Sequence, residues 1–297
     1  MPDTNSLGLL AITLFAATVN GALGYGFSSL TVPIALLMYA NRVLNPALVL
    51  VEVAVNTWVL IINRRSVPIV WRRVIPIVVG LIPGIVVGSF ILSSVSPGLV
   101  KVVTYVALLP LILLQASGLR RPIRAEKAIG APFGVGLGVL YSVTTISGPP
   151  LALLFNNQGL ARQDFRAALS LVRIAESSAT GIAYYFLGLY SLSSAELLPW
   201  IAPSVLIGIP LGAFLIRQIE ADVFRRVCMS FDAWIVGFGL SRALMELGWV
   251  GSPFAYGALV LAATIDACLL YAFFTRRARE RLRSGAPSRV PEPQFGH

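Results

Sequence analysis

NGALGYGFSSLTVP at residues 20–33 and YSVTTISGPP at residues 141–150 are the two stretches on which the fold turns. Each interrupts an apolar run with Gly, Ser, Thr or Pro, and each leads into a shorter apolar arm, residues 25–40 in one case and 148–157 in the other. Backbone that leaves the helical ladder inside a bilayer must be buried in protein or line a wet cavity, because hydrocarbon offers it no hydrogen bonds. The two breaks therefore predict two hairpins, broken or re-entrant, with their tips at membrane depth.

The remainder of the chain fits a bilayer. Its 297 residues are 57% hydrophobic and only 12% charged, with a mean hydropathy of +0.81, against roughly 25% charged residues in a soluble domain. Apolar runs at 6–23, 43–62, 74–92, 99–117, 167–189, 197–216, 227–247 and 254–274 are each long enough to cross about 30 Å of hydrocarbon at about 1.5 Å per residue. The start of the chain lacks a basic segment, so residues 6–23 read as a first helix and not as a cleaved signal.

The net charge of +10 does not point to nucleic acid, because the Lys and Arg sit in short loops between apolar runs and in the last residues, without interleaved aromatics. There is no P-loop, GxSxG, HExxH or CxxC motif. The only His is His297, and Cys228 and Cys268 lie inside apolar runs with no bridging or ligand spacing. Nothing in the sequence asks for a cofactor or a metal, and ATP-driven chemistry by this chain alone is not predicted.

The basic residues give a topology, since Lys and Arg concentrate in cytoplasmic loops. Arg64, Arg65, Arg72 and Arg73 mark one inside loop, Arg120, Arg121, Arg124 and Lys127 a second, and Arg217, Arg225 and Arg226 a third. The loops near Ser94, Tyr190 and Gly248 have no basic residue. Counting back places the N-terminus, with Asp3, outside; the second hairpin begins and ends inside, near Lys127 and Arg162. The hairpins thus enter from opposite faces, and each is followed by three spans.

The predicted fold is an all-α polytopic membrane protein of two inverted repeats, each a broken or re-entrant hairpin plus three spanning helices, with one extra C-terminal helix. Residues 1–118 form the first repeat, 119–247 the second, 248–275 the extra helix, and 276–297 a basic cytoplasmic tail that reads as disordered. ALVLVEVAVN at 47–56 resembles ALSLVRIAES at 168–177, and GIVVGSF at 84–90 resembles GIPLGAF at 208–214, in the same order within the two halves.

Chemistry is expected at the hairpin tips and at intramembrane charges. A half-helix that starts at membrane depth presents free N–H groups and a positive dipole end, which suits a small anion. Gly24, Gly26 and Gly148 permit the required turns, and Asn20, Tyr25, Ser28, Ser29, Thr144, Thr145 and Ser147 supply polar groups around them. Tyr141 and Asn156 are weaker candidates for the same lining. The competing reading is that small residues only let helices pack closely.

Glu52, Arg173 and Glu176 lie within apolar runs, where an ionisable group is costly and usually faces a cavity or a partner. Glu52 and Arg173 occupy matching places in the two aligned helices, so they either pair or divide the work, Arg173 meeting a solute's charge and Glu52 or Glu176 handling a proton. A purely structural salt bridge is the bland alternative. Asp266, in the extra helix, reads as a packing or oligomer contact, and Asp232 lies closer to a helix end.

From residue 7 to about 247 the chain resembles the TauE/SafE sulfite exporter family, the 4-toluene sulfonate uptake permeases. The resemblance rests on NGALGYGFSSLTVP and ISGPPLALL as the two openings, then ALVLVEVAVN and FRAALSLVRIAES, then Gly84 and Gly88 matched by Gly208 and Gly212. It implies a secondary transporter of a small anion, such as sulfite, an organosulfonate or a small carboxylate, in a prokaryotic inner membrane. Alternating access is the implied mechanism, with the bilayer and the anion as partners and assembly with a second copy left open. The competing classes are an intramembrane channel or enzyme and a non-transporting assembly subunit.

Overall fold

The computed structural model describes residues 4–117, 126–156, 160–216, 218 and 220–284. Among these, the regular elements are helices: α1 (Thr4–Leu23), α2 (Phe27–Ala35), α3 (Asn41–Ile62), α4 (Val67–Ser94), α5 (Pro97–Ala116), α6 (Glu126–Thr144), α7 (Gly148–Asn156), α8 (Arg162–Phe186), α9 (Leu192–Ala195), α10 (Leu198–Leu215), α11 (Ala221–Glu246) and α12 (Gly257–Ser284). Single 3-10 turns lie at Arg64–Ser66 and Phe254–Tyr256. The chain is a polytopic helical protein, with 7 helices long and apolar enough to cross a membrane among the described residues.

The span expected at 167–189 is α8, whose 25 residues reach about 37 Å. It is long enough to cross but is not one of the 7 apolar helices, because its charged residues include Arg173 and Glu176 at its middle. Helices α2 and α7 have 9 residues each, about 13 Å, less than half the hydrocarbon thickness. They are half-helices. The first arm is therefore shorter than the predicted 25–40: after Ala35 the chain turns through residues 36–39 and starts α3 at Asn41. Residue 157, the predicted end of the second arm, lies outside the described residues.

Four of the close pairings lie at corresponding places in the chain, while α4 also packs on α8 and α11 on α12. Helix α1 runs parallel to α10: Ser204 Oγ donates to Leu10 O at 3.1 Å, Gly208 lies against Leu14 and Ala17, and Gly212 against Thr18 and Ala22. Helix α6 runs parallel to α4 in the same way, Gly130 lying on Pro76, Gly134 on Ile77 and Gly80, and Gly138 on Leu81 and Ile85. Without side chains at these positions backbones touch, the contact that small residues make between membrane helices.

The other two pairings are antiparallel. Arg173 of α8 meets Glu52 of α3 at 2.6 Å, and Gly181, further along α8, lies on Val49, earlier on α3. Lys101 of α5 meets Glu246 of α11 at 3.0 Å, while Tyr105 lies under Gly239. In these two pairs, helices one repeat spacing apart in the chain face each other head to tail.

The correspondence extends to single hydrogen bonds at the 121-residue spacing that separates Glu52 from Arg173. Gly24 N donates to Asn20 O at 2.7 Å, and Thr145 N to Tyr141 O at 2.6 Å; Leu30 N donates to Gly26 O, and Leu151 N to Ser147 O, both at 3.1 Å. Gly24 has φ 84 and Thr145 has φ 55, so both breaks pass through the left-handed region, which costs a residue with a Cβ about 1–2 kcal/mol.

Two sequence expectations are corrected at the C-terminal end. Arg225 and Arg226, assigned to an inside loop, belong to α11. Arg226 is buried, with Nη2 2.8 Å from Asp266 Oδ1 of α12, because Asp266 needs a counterion in the same apolar seam. Residues 276–284, assigned to a disordered tail, continue α12: their Arg, Ala, Glu and Leu are good helix formers once a helix is under way. Arg277 pairs with Glu220 before α11. The remainder of that tail with His297, and Asp3, Arg120, Arg121, Arg124 and Arg217, lie outside the described residues.

Candidate functional site

Helices α3 and α8 cross at their midpoints, and that crossing brings three ionisable side chains together. Glu52 of α3 is 1% exposed, Arg173 of α8 2% and Glu176 0%. Arg173 and Glu176, three residues apart, share one face of α8. Glu52 Oε1 accepts from Arg173 Nη2 at 2.6 Å and from Ser28 Oγ, and Oε2 accepts from the Tyr141 hydroxyl at 2.6 Å. Glu176 Oε1 accepts from Ser147 Oγ and lies 4.0 Å from Arg173 Nε.

Both hairpins contribute. Ser28 is in the first turn of α2, and Ser147 directly precedes α7, so the first break delivers one hydroxyl to Glu52, and the second delivers Ser147 to Glu176 and Tyr141 to Glu52. The tips also touch: a Cβ on Gly148 would lie 3.8 Å from Tyr25 and 3.9 Å from Gly26 N. The positive φ of 113 at Gly26 starts α2 where the chain must reverse, a conformation glycine takes without a Cβ clash.

Not every polar residue of the breaks reaches the cluster. Ser29 Oγ donates to Gly26 O at 3.2 Å, Thr144 Oγ1 to Leu140 O at 2.7 Å, and Thr145 Oγ1 to Thr144 O at 2.7 Å. Those hydroxyls hold the turns. Tyr25 accepts from Gln115 Nε2 at 3.2 Å and meets Phe165 edge-on. Gly24 lies beneath the Arg166 side chain. Asn20 is buried in α1, and the side chain of Asn156 lies outside the described residues.

Several buried polar atoms have no hydrogen-bond partner among the described residues, including Arg173 Nε, Glu176 Oε2, Asn20 Oδ1 and Thr180 Oγ1. A buried polar atom left without a partner costs about 1–3 kcal/mol, and more when its group is charged. Arg173 Nε and Glu176 Oε2 belong to the central cluster itself. With every group ionised, that cluster holds two carboxylates against one guanidinium.

Sequence reading missed two anchors of the second tip. Asn45 Nδ2 donates to Val143 O at 2.7 Å, and Asn41 Nδ2 lies 3.5 Å from the same carbonyl. In the first half Arg166 Nη2 reaches Ala22 O at 3.4 Å. Asn45 and Arg166 stand at the same 121-residue spacing as Glu52 and Arg173. Polar residues recurring at that spacing were the signal that could have found them.

The sequence model of one family, described as Sulfite exporter TauE/SafE, matches residues 9–238. That match takes in both hairpins, the charged cluster and most of α11. No curated protein and no solved structure matches the chain.

Proposed function

Because the chain belongs to the TauE/SafE sulfite exporter family, whose members are transporters and not enzymes, we propose that it is a secondary transporter carrying a small anion past Arg173 between the two hairpin tips. The observation that carries this reading is the burial of Arg173 against Glu52, with Ser28 and Ser147 delivered to the same place by the starts of two half-helices. Sulfite, an organosulfonate or a small carboxylate fits that chemistry: each offers oxygens to a guanidinium and to N–H groups at helix starts.

Arg173 already has a carboxylate partner, so an incoming anion must exchange with Glu52. Removing one member of a buried ion pair costs about 3–5 kcal/mol, because the other is left uncompensated. Here both members have somewhere to go. Arg173 takes the anion, and Glu52 keeps the hydroxyls of Ser28 and Tyr141. Movement of the tips, each held by its own turn, exposes the exchanged site to one face and then the other.

The antiparallel meeting of α3 with α8 and of α5 with α11 supports inversion of the two halves in the membrane. The Arg residues at 64, 65, 72 and 73 support a cytoplasmic face at the end of α3. The end of α12 then lies in the cytoplasm of a prokaryotic cell and the start of α1 outside. Counterflow in proteoliposomes with labelled sulfite against sulfonates, sulfate and small carboxylates tests the reading. Arg173→Ala should lower exchange by about a hundredfold or more; exchange at the wild-type rate would overturn the assignment.

A further inference from the structure

The central cluster has two carboxylates in unlike surroundings, and the difference divides their work. Glu52 accepts from three donors, Arg173, Ser28 and Tyr141, with both oxygens engaged. Glu176 is fully buried, and among the described residues it accepts only from Ser147 and has Oε2 without a partner. A buried acceptor oxygen that no described group serves is relieved when it becomes a hydroxyl.

The neighbours of Glu176 do not compensate its charge. Arg173 on its own helix is committed to Glu52, with Nε 4.0 Å from Glu176 Oε1. Helix α3 contributes Glu52, a like charge, and α6 contributes the Tyr141 hydroxyl, which points to Glu52. Helix α4 has no ionisable residue between Val74 and Leu92, α7 has none, and Arg64 and Arg65 lie in the turn beside the other end of α8. The cluster is therefore one negative charge in excess, and an anion adds to that excess.

We propose that Glu176 is the proton site of the transport cycle, taking one proton on Oε2 as the anion binds at Arg173 and releasing it with the anion on the other side. The proposal rests on the transport reading above. The proton comes from water on the loading face and returns to water on the other, and it leaves the cluster loaded with a singly charged anion no more negative than the empty one. Glu52 acts as the exchangeable partner of Arg173.

The test uses proteoliposomes of the wild type, E176Q and E52Q, with labelled sulfite, a lumenal pH dye and an imposed pH gradient, corrected for sulfite's own protonation and for protein-free vesicles. With the membrane potential short-circuited, the wild type should accumulate sulfite about tenfold per pH unit, the ratio a single coupled proton gives, with one proton entering per anion. In E176Q the gradient should drive no accumulation. Two results overturn the proposal: E176Q accumulates as the wild type does, or the wild type moves sulfite with no proton, a readout that holds even if a variant does not fold. A wild type that shows no sulfite counterflow takes down the transport reading for this anion as well, which separates the two failures.

Discussion

Tyr141 is fully buried and its hydroxyl is committed to Glu52 Oε2 at 2.6 Å, so it bears directly on the exchange at Arg173. Tyr141→Phe leaves the carboxylate with one neutral donor when Arg173 turns to the anion. Maximal exchange should fall by about tenfold to a hundredfold, the range of one lost hydrogen bond to a charged group, with little change in the half-saturating anion concentration; a pure affinity change would argue against the exchange. The sequence made Glu52, Arg173 and Glu176 legible because charge in an apolar run is costly and conspicuous. Tyr141 was only a weak candidate, since an aromatic ring beside a break serves packing equally well. Thr144, Thr145 and Ser29 were legible as polar and yet do not reach the carboxylates: short hydroxyl side chains bond the nearest carbonyls of their own turn. Which way a hydroxyl faces is decided by the fold around it.

Helices α4 and α10 each press glycines onto the backbone of a neighbour. A Cβ at Gly84 would lie 2.2 Å from Val135 O, and one at Gly212 1.8 Å from Thr18 O, whereas a Cβ at Gly136 meets nothing within 4 Å. Gly84→Ala and Gly212→Ala should each destabilise the protein by about 1–3 kcal/mol or more, and Gly136→Ala should be neutral or stabilising by up to about 1 kcal/mol. Thermal denaturation in detergent separates them, and equal effects at the three positions would refute the pairing of α1 with α10 and of α4 with α6. The spaced glycines were readable in the sequence, but their partners were not, because the small-residue pattern names a face and not what lies on it. Helix α8 was harder to delimit: its charges hide it from a hydropathy profile, and its N-terminal turn starts before the apolar stretch. Arg226 was misassigned for a related reason, since a basic residue beside Arg225 reads as loop until Asp266 is seen opposite it.

Arg42 at the start of α3 donates to the carbonyls of Leu92 at 2.8 Å, Ser93 at 2.6 Å and Val95 at 2.7 Å at the end of α4. Those helix ends share one face of the bundle, and the antiparallel α3–α8 pairing brings Tyr190, beyond α8, to the same face. In a cysteine-free background, single cysteines at Ser94 and Tyr190 should react with an impermeant thiol reagent added from one side, and cysteines at Asn63 and Ala161 from the other. Labelling of Asn63 and Ala161 from different sides would break the proposed inversion. Helix α12 stands outside the paired halves, fastened to α11 by Arg226 and Asp266, and its direction sends the last described residues to the face opposite the start of α1. The pairing of Glu52 with Arg173 has a further consequence. A dimer of two identical halves related by the same axis would set each residue at position 52 against its own copy, acid against acid or base against base. A single chain that carries both halves is free of that constraint, and its two central helices meet with unlike charges.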